Sequence, residues 1–348
     1  MIIKIKKLEL TQIILKENFK IKDAINIIKN IRFKIVLVVN KKNKFLGTIT
    51  NGDIRRNLLT GLDLNDPIIS VTNKKSVYVP KKINLKNIDK LMAKNRILSI
   101  PIIDEKRKII GMHHRNVKKN YSSKTPIIFM AGGKGKRLMP LTKNLPKAML
   151  KIKGKPMMEN LLLKARFFGY KKFILSVNYL SQKIISYFQN GKRWRVSIDY
   201  IKEKKPLGTV GSLSLLDPNL SENFIMMNCD VVTNINILDL EDYHKNHNAF
   251  ITIVAHIRKS KIEYGVLETN GIKLKNFSEK PILNHYINAG IYVFNKKILK
   301  YIRPNKSYDL PDVLNLIMKL NKKIIVYPLY ESWNDVGLIK ELNQVRSK

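Results

Sequence analysis

The chain of 348 residues is 44% hydrophobic and 26% charged, enough apolar material for about two domains with buried cores. Its 66 lysines and arginines against 26 acidic residues give a net charge of +40, but the excess is mostly lysine and runs along the whole chain. It therefore excludes nucleic acid as the expected partner, since such grooves concentrate arginine and stacking aromatics, and leaves a field that attracts anionic nucleotides. No apolar run approaches the roughly 20 residues of a membrane span, the start M-I-I-K-I-K-K-L lacks a signal-peptide core, and Cys229 has no disulfide partner, so a soluble cytoplasmic protein is expected.

In chain order, the first feature is an internal repeat. Residues 21–47 and 85–111 align without a gap: Ile21 with Leu85, Ile27 with Leu91, Ile28 with Met92, Arg32 with Arg96 and Gly47 with Gly111. Each copy predicts a helix, a buried strand, a Lys-rich turn and a second strand ending at glycine. Asp23 to Asn30 carry a helical period, and Ile35–Val39 and Leu98–Ile103 are unbroken apolar runs. The repeat resembles a tandem CBS (Bateman) α+β module, expected over residues 1–118. Copy one ends G-T-I-T-N-G-D-I, where the resemblance implies that Thr50 and Asp53 hold the ribose of an adenine nucleotide. Copy two ends G-M-H-H-R-N-V and lacks both residues, so at most one complete ligand site is expected, beside an interaction or assembly role. The polar stretch 116–125 before Pro126 reads as connecting chain, with the linker set at 119–125.

From Pro126, strand and helix patterns alternate. Ile127–Ala131, Lys172–Asn178, Phe224–Asn228 and Phe250–His256 predict strands, and Met158–Phe168 and Gln182–Phe188 predict helices. Such alternation argues for an α/β fold over 126–348 with a mainly parallel mixed sheet, and ligands bind such folds at the carboxyl ends of the strands. There, after the first strand, lies G-G-K-G-K-R-L-M-P-L-T-K-N-L-P-K-A-M-L, residues 132–150, a loop expected to end near a helix. Glycines let backbone N–H groups approach a phosphate, and Arg137 and Lys147 add positive charge. The loop fits neither the P-loop nor the dinucleotide-binding spacing.

Position by position, G-G-x-G-x-R-L-x-P-L-T followed by P-K-x-M-L resembles the signature of sugar-1-phosphate nucleotidyltransferases. Further segments match that family in order over about 126–340: E-K-K-P-L-G-T-V-G at 203–211, N-C-D at 228–230, Y-G-V at 264–266, F-S-E-K-P at 277–281, N-A-G-I-Y-V-F at 288–294 and W-N-D-V-G at 333–337. The resemblance implies a Rossmann-like transferase domain in which a sugar-1-phosphate attacks the α-phosphorus of a nucleoside triphosphate, giving a nucleotide-sugar and pyrophosphate. Arg137 would hold the leaving β- and γ-phosphates, and Lys147 the α-phosphate. Ala131, Gly132, Gly133, Gly135, Glu203, Gly208 and Thr209 would bind the nucleotide. Tyr264, Gly265, Glu279, Lys280 and Asn288 would bind the sugar phosphate, and Asp230, a catalytic residue, would share Mg2+ with Asp335. A homo-oligomer is also implied.

Glu203 bears on the base. A carboxylate suits the two adjacent N–H donors of guanine and repels the carbonyls of uracil and thymine. The order of modules, a CBS pair and then this transferase, resembles guanylyltransferases of the legionaminic acid and other surface-glycan pathways. GTP is thus the expected donor, with glucosamine-, mannose- or heptose-1-phosphate as acceptor. Uridylyl or thymidylyl transfer to a hexose-1-phosphate is the alternative, and a nucleotide-sensing protein with an inactive transferase domain the alternative of another class. His244-x-x-His247 lacks a third ligand at matching spacing and is not read as a zinc site.

Overall fold

The computed structural model describes residues 2–5, 7–31, 33–95, 97–115, 123–304 and 306–347. It divides into two units, Met1–Lys119 and Asn120–Lys348.

In the first unit, both copies of the repeat form a helix followed by an antiparallel strand pair. The helices are Ile21–Asn30 and Leu85–Lys94. The first buries Ile21, Ala24, Ile25 and Ile28, the i, i+3, i+4, i+7 stripe of an amphipathic helix. Strand Ile35–Val39 pairs with Phe45–Thr50, and Ser99–Ile103 with Ile109–Arg115. The expected pairing of Arg32 with Arg96 lies outside the described residues. Gly47 is required where it stands, because a Cβ there would come within 2.4 Å of the Asn73 carbonyl oxygen.

Thr50 and Asp53 have a local duty. Thr50 is the N-cap of helix Asn51–Leu58, and its N–H and hydroxyl both donate to Asp53 Oδ2, at 2.8 and 2.6 Å. Arg56 Nη2 donates to Asp53 Oδ1 at 2.5 Å. This is a capping box with Asp in the place of Glu, and it leaves the buried carboxylate engaged within its own helix.

Residues 119–122 of the expected linker lie outside the described residues. Its last residues, Ser123 and Thr125, are buried and donate through their hydroxyls to Glu241, itself 1% exposed. Burial alone would push the Glu241 carboxyl up. Hydrogen bonds from Lys245, Thr125 and Tyr170 outweigh that and hold it below the usual carboxylate range.

The second unit is built on a seven-stranded sheet. Its elements are β1 (Ile127–Met130), α1 (Met157–Phe167), β2 (Lys172–Val177), α2 (Ser181–Phe188), β3 (Ser197–Lys202), β4 (Asn223–Asn228), β5 (Val231–Thr233), α3 (Ile237–Asn246), β6 (Ile251–Lys261), β7 (Val266–Asn270), β8 (Lys273–Ser278), β9 (Ile282–Asn295), α4 (Leu310–Lys319), β10 (Ile324–Leu329), β11 (Trp333–Asp335) and α5 (Ile339–Arg346). The sheet order is β3-β2-β1-β4-β9-β6-β10. All neighbours run parallel except β9, which is antiparallel to both β4 and β6. The sheet is thus mixed and mainly parallel, as the alternating pattern predicts.

Both faces are covered, which explains why β1 has no polar alternation. Ile127 and Phe129 pack with Leu162 and Ala165 of α1, Phe188 of α2 and Leu240 of α3. Ile128 packs on the opposite face with Val313 and Ile317 of α4. Because β1, β2, β3 and β4 are mutually parallel, the loops that follow them emerge along one edge.

The glycine loop ends near a helix, as expected, but the loop itself forms no α-helix. It contains only the 3-10 turns Lys136–Leu138 and Lys147–Met149, and α1 begins at Met157 beyond a short hairpin. Pro140 and Pro146 supply no N–H and disfavour helical backbone in the residues before them. At the glycine loop itself the backbone therefore presents loop amides and side chains.

His244 of α3 has both ring nitrogens engaged, Nδ1 with Thr252 Oγ1 at 2.8 Å and Nε2 with Asn223 Oδ1 at 3.3 Å. Burial lowers its pKa to about 4. The folded state therefore resists a proton that the unfolded chain accepts, so stability falls as pH drops from about 6.5 towards 4 and is unaffected by this group above that window. Between pH 7 and 4.5 the loss should be on the order of 2–3 kcal/mol. Both tryptophans, Trp194 and Trp333, lie in the second unit, so urea unfolding followed by their fluorescence reads that unit alone. His244→Gln should flatten the pH dependence across this window, and an unchanged slope would remove His244 as its source.

Candidate functional site

A pocket of about 320 Å³ opens at the carboxyl ends of β1 and β4. Eight of the residues singled out in the sequence line it: Ala131, Gly132, Gly133, Lys147, Glu203, Gly208, Thr209 and Asp230. Gly133 has open space where a Cβ would stand, so a ligand can approach its backbone, whereas a Cβ on Gly132 would lie 3.0 Å from Glu203 Oε1. Gly135 is not part of the lining. Its φ of +61° turns the loop, and a Cβ there would crowd Thr142 and the Cβ of Lys147. Its carbonyl accepts from Thr142 Oγ1 at 2.9 Å.

The half-buried Glu203 follows β3. Its Oε1 accepts from Ser176 Oγ at 2.8 Å, and its Oε2 from the Leu207 N–H at 3.1 Å. Asn178 Nδ2 donates to the Glu203 carbonyl at 2.8 Å. Ser176 and Asn178, at the end of β2, thus fix this carboxylate, and sequence reasoning missed both. The signal was there in a polar residue buried within the run K-F-I-L-S-V-N. Two hydrogen bonds leave about half of a carboxylate's acceptor sites open.

Asp230 and Asp335 are brought together by a two-stranded pairing. β5 runs antiparallel to β11 with Val231 opposite Asp335, and the Asp230 carbonyl accepts from the Val336 N–H at 2.9 Å. Lys147 Nζ donates to Asp230 Oδ2 at 2.6 Å. Burial, and then the Asp230 charge, push the Asp335 carboxyl up, while Lys147 and Arg137 oppose the shift. Two carboxylates that repel each other in a half-buried space are a donor set suited to a hard divalent cation, which completes its shell with phosphate oxygens and water. Among the described residues no group of three or more His, Cys, Asp or Glu side chains gathers for a metal. Arg137 is exposed, lies outside the pocket lining, and rests against Gly337 just beyond Asp335. Cys229 lines the pocket, but burial and the neighbouring Asp230 push its thiol well above the usual value, so it stays protonated and unreactive.

The five expected sugar residues fall into two groups. Tyr264, Gly265, Glu279 and Lys280 belong to an exposed arm made by β7, β8 and the outer halves of β6 and β9. Tyr264 is 78% exposed. A Cβ on Gly265 would meet the Phe277 ring at 2.9 Å and Glu279 Oε2 at 3.1 Å, so these groups share one place. Lys280 takes a left-handed φ of +46° at the turn into β9. Asn288 stands at the base of the arm, where its Oδ1 accepts from the Tyr292 hydroxyl at 2.8 Å and the Gly290 N–H at 3.1 Å. Burial, and to a lesser degree the Asp230 charge, push the Tyr292 hydroxyl up to about 12, against the Asn288 hydrogen bond. Trp333 donates from Nε1 to the Ala289 carbonyl at 3.0 Å and stacks on His256, so it buttresses β11.

Comparison with known proteins gives a consistent picture. The family described as nucleotidyl transferase matches residues 126–348, and the CBS domain family matches 9–60 and 68–112. A UTP–glucose-1-phosphate uridylyltransferase of Synechocystis sp. is 30% identical over 235 residues, 62% of this chain and 60% of that one. The mannose-1-phosphate guanylyltransferase catalytic subunit beta of Dictyostelium discoideum is 32% identical over 237 residues, 64% of this chain and 66% of that one. The match thus spans 60–66% of the length of these two relatives. The crystal structure of HddC from Yersinia pseudotuberculosis superposes with a TM-score of 0.51 at 22% identity, covering 64% of this chain and 98% of that one, and so shares the fold. No described helix is long and apolar enough to cross a membrane. The chain belongs to the nucleotidyl transferase family and carries a CBS pair ahead of its transferase domain.

Proposed function

We propose that this protein transfers GMP from GTP to a sugar-1-phosphate and releases pyrophosphate. The observation that carries the reading is the convergence, in and beside one pocket, of an open glycine loop, the Lys147–Asp230 ion pair and Asp335. A phosphate oxygen of the sugar phosphate forms a new bond to the α-phosphorus. The bond from that phosphorus to the α–β bridging oxygen breaks, and pyrophosphate leaves with the electron pair. The residues supply position and charge and form no covalent intermediate. Lys147 turns from Asp230 towards the α-phosphate. Arg137, at the mouth, holds the β- and γ-phosphates. Asp230 and Asp335 would hold Mg2+, which would neutralise charge on the phosphate oxygens. Tyr264, Gly265, Glu279 and Lys280 close over the acceptor while Asn288 holds it from below.

Guanine is supported by the two acceptor sites left on a carboxylate already fixed by Ser176 and Leu207, and by the Dictyostelium relative's name. The uridylyl alternative draws on the Synechocystis relative and on those same two hydrogen bonds, which spend half of Glu203's capacity. For the acceptor, mannose-1-phosphate stands beside glucosamine- and heptose-1-phosphate. The CBS pair serves regulation or assembly. Adenine-nucleotide binding at Thr50 and Asp53 would have to open the capping box that now engages both. We place the enzyme in the cytoplasm, as a homo-oligomer.

Pyrophosphate release measured for four triphosphates against glucosamine-, mannose-, heptose- and glucose-1-phosphate tests the reading. Release should require both substrates and be greatest with GTP, and a chain inert with every pair would sink it. Asp230→Asn should lower kcat by about 10³-fold with an unchanged urea midpoint, and a chelator should abolish turnover in the native chain until Mg2+ is restored. Near-normal turnover in the variant would remove Asp230 from the mechanism. Glu203→Gln should cut kcat/KM for GTP by about 10- to 100-fold and narrow the gap to UTP. If the GTP preference survives that change, the base is read elsewhere.

A further inference from the structure

The wall of the pocket at 207–209 is held from outside by a segment distant in the chain. Lys306 to Leu310 runs alongside it. The Tyr308 N–H donates to the Leu207 carbonyl at 3.0 Å, and the Val210 N–H donates to the Tyr308 carbonyl at 3.2 Å. The approach is too close for a side chain. A Cβ on Gly208, whose φ is +76°, would lie 2.5 Å from the Tyr308 carbonyl oxygen, and one on Gly211 would lie 2.9 Å from that of Lys306.

Asp309 closes this contact. It occupies the N-cap of α4 yet makes no side-chain bond to its own helix. Its Oδ1 instead accepts from the Thr209 N–H at 3.1 Å and from the Thr209 hydroxyl at 2.9 Å. The same hydroxyl accepts from the Leu310 N–H at 3.1 Å, so Thr209 caps α4 in Asp309's place. With its hydroxyl donating to Asp309 and accepting from α4, Thr209 supplies the pocket with a fixed wall. Leu207 is gripped from both sides, since its carbonyl is held by Tyr308 and its N–H holds Glu203 Oε2.

We propose that Asp309 is a positioning residue for nucleotide selection: by locking Thr209 it fixes the wall at 207–209, and through Leu207 it sets the orientation of the Glu203 carboxylate. The inference rests on the reading of this pocket as the nucleotide site. Asp309 touches no substrate, so its loss should act on the triphosphate and spare the sugar phosphate.

Full-length Asp309→Ala and Asp309→Asn, compared with the native chain, test this. Binding of GTP and UTP is measured by titration calorimetry without acceptor, and KM and kcat are measured for both substrates. Asp309→Ala should weaken GTP binding by about tenfold, the worth of one or two hydrogen bonds, and shrink the GTP-to-UTP ratio. Its kcat and its KM for the sugar phosphate should stay within about twofold of native. Asp309→Asn keeps the Oδ1 acceptor and should restore native GTP binding. Unchanged GTP affinity and selectivity in Asp309→Ala would overturn the inference, as would an equal rise in KM for both substrates, which marks general loosening. A native chain that binds GTP but turns nothing over would sink the transferase reading while the binding comparison still decides the role of Asp309. A native chain that binds neither nucleotide would overturn both.

Discussion

Two carboxylates held close enough to repel each other are the constraint on which the site turns. The pairing of β5 with β11 carries Asp230 and Asp335 into one half-buried space, where burial and the Asp230 charge push the Asp335 carboxyl up. Lys147 and Arg137 stand against that repulsion. Lys147 comes from the end of the glycine loop, so the loop that would cradle the triphosphate also delivers the cation that pairs with Asp230. A ligand that draws Lys147 away leaves Asp230 without its partner and raises the demand for another cation.

That arrangement depends on the sheet. Parallel β1, β2, β3 and β4 end along one edge, which places the glycine loop, Ser176 and Asn178, Glu203 and Asp230 around a single opening. β9 reverses the direction, and its reversal does two things. It covers the β4 edge, and it extends with β6 beyond the sheet into the arm that carries Tyr264, Glu279 and Lys280. The pocket residues stand on the parallel part of the sheet, whereas Tyr264, Glu279 and Lys280 stand on an exposed antiparallel arm.

The sequence exposed these parts unequally. Apolar runs such as I-I-F-M were legible as buried strands because both faces of the sheet are covered. The repeat in the first unit was legible because two copies carry the same apolar spacing. The β9 reversal was not, since an unbroken apolar run looks the same whichever way it pairs. The glycine loop was legible as a loop ending near a helix, but not the isolated turns within it, where Pro140 and Pro146 break the backbone. Thr50 and Asp53 show a different limit. T-x-x-D fits a ribose clamp and a capping box equally well, and only the bonds to Asp53 reveal that the cap is made.

Glycines in the transferase segments mark two kinds of close approach that a motif cannot separate. Gly133 faces open space where a ligand can come near the backbone, whereas Gly208 and Gly211 are small because the chain at 306–309 presses against them from behind. Read along the sequence, all three look like part of a nucleotide cradle. In three dimensions only the first leaves room for a phosphate; the other two let a distant segment grip the wall of the pocket. The fixed spacing of P-L-G-T-V-G is then a constraint on how α4 docks, and that docking holds Leu207, whose N–H in turn holds Glu203.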